Sequence, residues 1–281
     1  MKKECYSCHI KTVEKLIQKF QPQKEVADNF LNEVSSLLKD DNTGTNPYLT
    51  RNIHAIARKY LKQEDLYQEE KTIANNVLLS NYHLWKELVV KSDVPFYTAA
   101  KLAVIGNIID YGAHSVNGNI PELINELMKK ELAIDQTIEL CLQIKEANSI
   151  LYLGDNAGEI VFDKLFLDII WHPNVTYVVR GKPVINDVTL DDARQCNIHD
   201  KYHIISNGSD APSTLMELCS SEFQDAFNKA DLIISKGQGN FEGLMNSNNP
   251  KIFFLLIAKC NPMADLLNVK KGDMLVTQFL N

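Results

Sequence analysis

Ser149-Ile150-Leu151-Tyr152-Leu153-Gly154-Asp155-Asn156-Ala157-Gly158-Glu159 is where the sequence changes character. Four consecutive apolar residues stop at a glycine, and a helical pattern resumes after Gly158. A run apolar at every position, rather than alternating, marks a strand buried on both faces. Similar runs recur at Val175–Val179, Tyr202–Ile205, Leu232–Ile234 and Ile252–Ile257, each separated from the next by a helix-like segment. Met274–Val276 adds a candidate edge strand. Short buried strands alternating with helices form a mostly parallel sheet covered on two sides.

Upstream, the period is that of a helix. Apolar residues recur three and four apart in Val13–Phe20, Val26–Leu38, Ile53–Leu61, Ile73–Val90, Ala99–Ile109, Ile120–Met128 and Ile134–Ile144. Connections such as Asp40–Pro47 and Ser92–Pro95 are short and polar, and no strand pattern or fixed-period repeat interrupts them. The expected architecture is α/β: an all-helical N-terminal domain over 1–148, then a doubly wound (Rossmann-like), mostly parallel sheet over 149–281.

A chain of 281 residues with 45% apolar content can bury a sizeable core. Its formal net charge of −7 argues against non-specific binding to nucleic acid or anionic membranes, although one cation can reverse the field inside a cleft. No stretch approaches the roughly 18 apolar residues of a membrane span, and Met1–Ile10 carries lysines without an apolar core, so neither a span nor a secretory signal is expected. A cytoplasmic location follows, in which the six unevenly spaced cysteines stay mostly reduced.

In open α/β sheets ligands bind beyond the carboxyl ends of the strands. Those ends here carry Asp155-Asn156, then Arg180-Gly181-Lys182-Pro183 with Asn186-Asp187 and Asp191-Asp192, then Asn207-Gly208-Ser209-Asp210, then Lys236-Gly237-Gln238-Gly239-Asn240. Asp155, Asn156 and Asp187 offer hard oxygens suited to Mg2+, Mn2+ or a related ion. The competing reading has Asp155 and Asn156 merely capping the helix that begins near Gly158. Asp191 and Asp192 read as cap or surface residues. The Lys236 turn, with Gly237, Gly239 and Asn240, has glycines that let backbone N–H groups approach an anion and an ammonium that adds charge. A plain strand-to-helix turn is its alternative. The Asn207 turn is a weaker version of the same idea, and the pattern is neither a Walker A loop nor G-x-G-x-x-G.

Cys5-Tyr6-Ser7-Cys8-His9 formally matches a haem-attachment pattern, which the expected location excludes. The pair is alternatively half of a structural metal site completed by Cys260, or two reduced thiols starting the first helix. No strand precedes it, so a thioredoxin-like role is disfavoured. The histidines show no ligand spacing, and no Gly-x-Ser-x-Gly elbow supports a serine hydrolase.

Taken together, Gly154–Glu159, Arg180–Asp187, Asn207–Pro212 and Lys236–Glu242 resemble the metal-dependent damage-control phosphatases, a family long called a domain of unknown function that includes the ARMT-like proteins. The resemblance is to the prokaryotic branch with an N-terminal C-x-x-C. It extends to Gly106–Gly112, which contains Asn107, and to Asp65-Leu66-Tyr67 with Lys71 and Asn75, where Leu66 replaces an expected proline. It implies a phosphomonoester hydrolase using Mn2+, Mg2+, Co2+ or Ni2+ and acting on small phosphorylated metabolites such as sugar phosphates. Asp155, Asn156 and Asp187 would hold the metal and Lys236 would contact phosphate. Arg180, Asn207, Gly237, Gly239, Asn240 and Asn107 complete the expected substrate site. A non-catalytic phosphometabolite or nucleotide binder is the main rival. A methyltransferase is the weaker one, because Gly-Asp-Asn-Ala-Gly-Glu suits a metal better than that cofactor.

Cys5 and Cys8 fall outside the strand-end constellation. Replacing both with serine should lower melting temperature or soluble yield more than turnover. A folded, metal-loaded double variant without turnover would contradict that placement.

Overall fold

The computed structural model describes residues 3–39, 45–108 and 120–280. Among them are seven strands in one sheet: β1 (Ile134–Asp135), β2 (Ile150–Leu153), β3 (Val175–Val179), β4 (His203–Ser206), β5 (Leu232–Lys236), β6 (Ile252–Ile257) and β7 (Met274–Thr277). Their order is β1-β7-β6-β5-β2-β3-β4. All neighbours are parallel except β6 and β7. The chain builds outward from β2 through β3 to β4, then returns to the other side of β2 for β5 and proceeds to β6. This is the doubly wound layout, with its switch point between β2 and β5.

The uniformly apolar runs explain why the sheet is buried on both sides. Successive side chains of a strand point to opposite faces. Ile150 and Tyr152 pack with Leu102, Phe162 and Phe166, from helices Pro95–Ile105 and Glu159–Ile170. Leu151 and Leu153 pack on the other face with Phe223, Phe241 and Met263. β7, expected at an edge, lies between β6 and the two-residue β1.

That last strand corrects the reading of the helical half. Ile134 belongs to the sheet and not to the following helix, which begins at Thr137. Asp135 accepts the Thr137 backbone N–H at 3.0 Å, fixing the exit from the strand. Helices Pro95–Ile105, Ile120–Met128 and Thr137–Glu146 contribute to the same buried cluster as the sheet face. Residue 148 is therefore no break in the core. The separate cluster is smaller: Val13, Leu16, Phe30, Val34, Leu49 and Ile53, from helices Lys3–Phe20, Lys24–Lys39 and Asn46–Leu61. The residues 40–44 of the expected Asp40–Pro47 connection, and 109–112 of the Gly106–Gly112 segment, lie outside the described residues. Among the described residues no helix is long and apolar enough to cross a membrane.

Phe30 is completely buried in the smaller cluster. Phe30→Ala should cost about 3–5 kcal/mol there. Amide exchange should accelerate in 3–61 while β2 and β5 keep their protection. Equal loss of protection in both regions would show that the two clusters unfold as one.

Candidate active site at the switch point

Asp155 and Asp187 are brought together by backbone. Val188 N–H donates to Asp155 O at 2.8 Å and Ala157 N–H to Asn186 O at 2.9 Å, and Asn156 and Asp187 form an antiparallel bridge. Gly154 N–H donates to Val178 O and Arg180 N–H to Val188 O, which continue the zipper from the parallel ladder. Helix Gln68–Ser80 holds it from outside: Asn75 Oδ1 accepts the Gly158 N–H at 2.6 Å. Gly158 has φ +78°, and Gly237 at the end of β5 has φ +77°. A Cβ at Gly237 would run into the Asp155 carboxylate. Glycine is thus required there both by conformation and by close approach.

The site carries an excess of buried negative charge. Asp155, Glu159, Asp163 and Asp187 face two buried cations, Arg180 and Lys236, with the half-buried Lys259 also within electrostatic reach of Asp155. Arg180 Nε donates to Asp187 at 2.6 Å, and its Nη2 lies 3.9 Å from Asp155. Asp155 Oδ2 accepts from the amides of Asn107 and Asn156, both at 2.7 Å. Burial first, then the charges of Glu159 and Asp187, push the Asp155 carboxyl up to about 8, against the opposing charges of Lys259 and Arg180. Burial likewise pushes Asp163 up to about 6, against the pull of Lys236.

These features fit a divalent cation. The candidate donors are hard oxygens, the carboxylate excess needs compensation, and Asn107 Oδ1 is a buried acceptor with no partner among the described residues. The Asp155 carboxylate accepts from amides and the helix cap is Gly158 without any side-chain capping bond, so the capping alternative does not describe Asp155. Among the described residues no group of three or more His, Cys, Asp or Glu is placed to hold a metal; the oxygen set here depends on Asn156.

Several expected substrate residues have other occupations. The Lys236 ammonium is fully buried and donates to Ala103 O at 2.9 Å and to Glu159 and Asp163 at 2.5 Å each. All three of its N–H donors are used on these groups. Burial alone would lower its pKa, but the two carboxylates hold it above the ordinary value. Arg180 donates to Asp187 through Nε and to Asn240 Oδ1 through Nη2. Asn240 also accepts from Thr214 and donates to the carbonyls of Gly154 and Lys236, so it is a clasp between β2 and β5. A Cβ at Gly239 would collide with Pro212 O, so this glycine serves packing. Asn207 Oδ1 orders its turn by accepting from Gly181 and Ser209, while its buried Nδ2 has no partner among the described residues.

Asp191 is exposed and paired with Arg194, as a surface residue. Asp192 forms a capping box with Thr189. It also takes Lys71 and Asn75, joining helix Gln68–Ser80 to the Asp187 loop. Asp210 pairs with Arg51 and Arg58. Cys8 is exposed and Cys260 half-buried, the latter accepting from Gln238 at 3.6 Å; the Cys5 side chain lies outside the described residues.

Sequence reasoning assigned no role to Glu159 or Asp163. The signal was present in Glu159-Ile160-Val161-Phe162-Asp163-Lys164-Leu165-Phe166: two carboxylates at i and i+4 share one helical face, amid residues that must be buried.

An open α/β sheet with acidic, oxygen-rich strand ends at its switch point places the chain in the doubly wound class, whose ligands bind at that edge. The chain belongs to the damage-control phosphatase ARMT1-like family, whose domain matches residues 1–275. It is 33% identical over 276 residues to a damage-control phosphatase of Pyrococcus horikoshii, covering 96% of this chain and 95% of that one. It is 38% identical over 237 residues to a damage-control phosphatase of Archaeoglobus fulgidus, covering 82% and 81%. A crystal structure of a DUF89 family protein from P. horikoshii superposes with a TM-score of 0.90 at 32% identity, covering 99% and 98% of the two chains.

The Asp155 carboxyl has a consequence for linkage. Between its ordinary value of 3.8 and about 8, the folded protein without cation holds a proton that the unfolded chain has lost. Stability from this group is full below the lower value and declines as pH rises through the higher one. Cation uptake at pH 7 should therefore release protons. Calorimetric enthalpy measured in buffers of different ionisation enthalpy should vary in proportion; no dependence on buffer would show that Asp155 is already ionised.

Proposed function

We propose that the chain is a divalent-cation-dependent phosphomonoester hydrolase acting on small phosphorylated metabolites, with sugar phosphates the first class to test. Family membership supports a phosphatase role. The observation that carries the finer reading is the convergence of Asp155, Asn156 and Asp187 on a buried site whose carboxylates outnumber its cations. Mn2+, Mg2+, Co2+ or Ni2+ would be held by these three residues. Bound there, the ion would supply Lewis-acid polarisation of a phosphoryl oxygen and lower the pKa of a water.

The protein's own groups have distinct tasks in this reading. Arg180 lies against Asp187 and near Asp155, so it fixes the two carboxylates relative to each other. Asn240 fixes Arg180 in turn. Asn207 Nδ2 is a group available to donate to a phosphate oxygen. The packed glycines keep the loop backbones close, which holds the site in one geometry before substrate arrives.

A screen of sugar and nucleotide phosphates with several divalent ions, reading released phosphate, tests the proposal. Activity should vanish with chelator and return with added cation. Asp155→Ala should lower cation affinity and turnover together. Asp155→Asn, which keeps shape but removes charge, should still lose most activity. Cation-dependent binding of phosphorylated metabolites without any phosphate release would favour the non-catalytic binder, and full activity in metal-free protein would refute the cation requirement.

A further inference from the structure

Glu159 is the residue through which the buried ions act on the cation ligands. Its side chain is wholly inaccessible to solvent, as are those of Lys236 and Asp163. One oxygen, Oε1, takes the Lys236 ammonium at 2.5 Å. The other, Oε2, accepts from Asn107 Nδ2 at 2.8 Å and from Asn156 Nδ2 at 3.1 Å. Both amide nitrogens also reach Asp155 Oδ2 at 2.7 Å. Asp155 Oδ2 and Glu159 Oε2 are both acceptors in this arrangement, each facing two amide nitrogens. An amide lying against two carboxylates must turn its nitrogen toward them and its oxygen away. The orientation of both asparagines is therefore imposed by Glu159 and Asp155 jointly.

Lys236 and Asp163 fix Glu159 in turn. Asp163 accepts from Lys236 and from the hydroxyls of Tyr152 at 2.8 Å and Tyr177 at 2.9 Å. Lys236 also donates to Ala103 O, four residues before Asn107. The ammonium thus ties Glu159 to the helix that leads into Asn107. One atom is left over. Asn107 Oδ1 is buried and has no partner among the described residues, whereas buried polar atoms almost always have one. A carbonyl oxygen repels phosphate oxygens, so this atom does not suit a direct phosphate contact. It suits a cation or a donor O–H.

We propose that Glu159, clamped by Lys236 and Asp163, is a positioning residue that orients both amides, and that Asn107 Oδ1 joins Asp155, Asn156 and Asp187 as an oxygen donor to the divalent cation, directly or through a water. This rests on the proposed function. It moves Lys236 from the substrate to the support of the cation site, and it adds a fourth oxygen contributed by the helical half of the chain.

The test is Mn2+ titration calorimetry on the full chain without substrate, with thermal melts on the same preparations. Wild type should bind Mn2+. Asn107→Ala, which leaves the Lys236–Glu159–Asp163 cluster intact, should fold and raise the Mn2+ Kd by roughly tenfold or more, as removal of supporting partners does at metal sites. Glu159→Gln and Lys236→Met should raise it similarly when measured on folded protein. Should either not fold, Asn107→Ala carries the test alone. A folded Asn107→Ala with wild-type Kd overturns the donor role, and a folded Glu159→Gln with wild-type Kd and lowered melting temperature overturns the positioning role. Were Lys236 a phosphate contact, Lys236→Met would keep the Mn2+ Kd and weaken inhibition by inorganic phosphate, and that result also overturns the inference. A wild-type chain that takes up no divalent cation removes the proposed function itself, a failure distinct from failure of the variants.

Discussion

The Lys236 ammonium between Glu159 and Asp163 sets the terms for the rest of the structure. An unpaired ion at this depth would cost several kcal/mol, and even a well-paired one gains little over apolar packing. What such a cluster does strongly is forbid alternatives: removing one partner leaves a buried charge and costs about 3–5 kcal/mol. Helix Glu159–Ile170 can therefore lie across the end of β5 in only one rotation, with Glu159 and Asp163 turned to the ammonium. Helix Pro95–Ile105 is held in register by the same ammonium through Ala103 O. Asp163 further engages β2 and β3 through the hydroxyls of Tyr152 and Tyr177, whose rings stack at 5.4 Å. One cation thus fixes three strands and two helices around the switch point.

The sheet was legible because burial on two faces leaves a simple mark, an unbroken apolar run closed by a turn residue. Val175–Val179 and Ile252–Ile257 are strands with the bounds read from sequence. β1 left no such mark. Two residues, Ile134 and Asp135, cannot show a period, and they precede a genuine helical pattern that absorbs them. The same limit applies to the expected boundary at 148. A helix packed on a sheet and a helix packed on other helices have the same 3.6-residue period, so periodicity cannot say which surface receives the apolar stripe. Helices Ile120–Met128 and Thr137–Glu146 look like bundle members in sequence and pack against helix Pro95–Ile105, which itself lies on β6 and β7.

Strand ends were enough to bring Asp155, Asn156 and Asp187 together, because topology delivers whatever follows β2 and β3 to one edge. They say less about Lys236. In a Gly-rich turn a lysine and an anion-binding backbone look alike in sequence. The difference lies in where the side chain goes, and that depends on carboxylates 77 and 73 positions away. The glycines themselves answer to a different need. Gly237 lets the Asp155 carboxylate lie against the start of the helix Gly237–Leu244, and Gly239 admits the carbonyl of Pro212. Such close approaches leave no trace except the glycines.

The helical half is accordingly part of the site. Asn75 holds Gly158 from helix Gln68–Ser80, and Lys71, one turn earlier on the same face, meets Asp65 and Asp192. Asn107 arrives from the end of helix Pro95–Ile105. Each of these contacts spans many tens of residues of chain except Lys71 with Asp65. A sheet alone could place Asp155 beside Asp187, because the Val188–Asp155 and Ala157–Asn186 hydrogen bonds are internal to it. It could not bring Asn107 against Asp155 and Glu159 or cover the carboxylates from the helical side. Both functions need the helical half to be in place. The carboxylates repel one another most in the water-poor environment that this packing creates, which is also the environment in which a divalent cation is bound with the greatest electrostatic gain. Packing the helical half onto the sheet and creating affinity for a cation are, in this fold, one physical event.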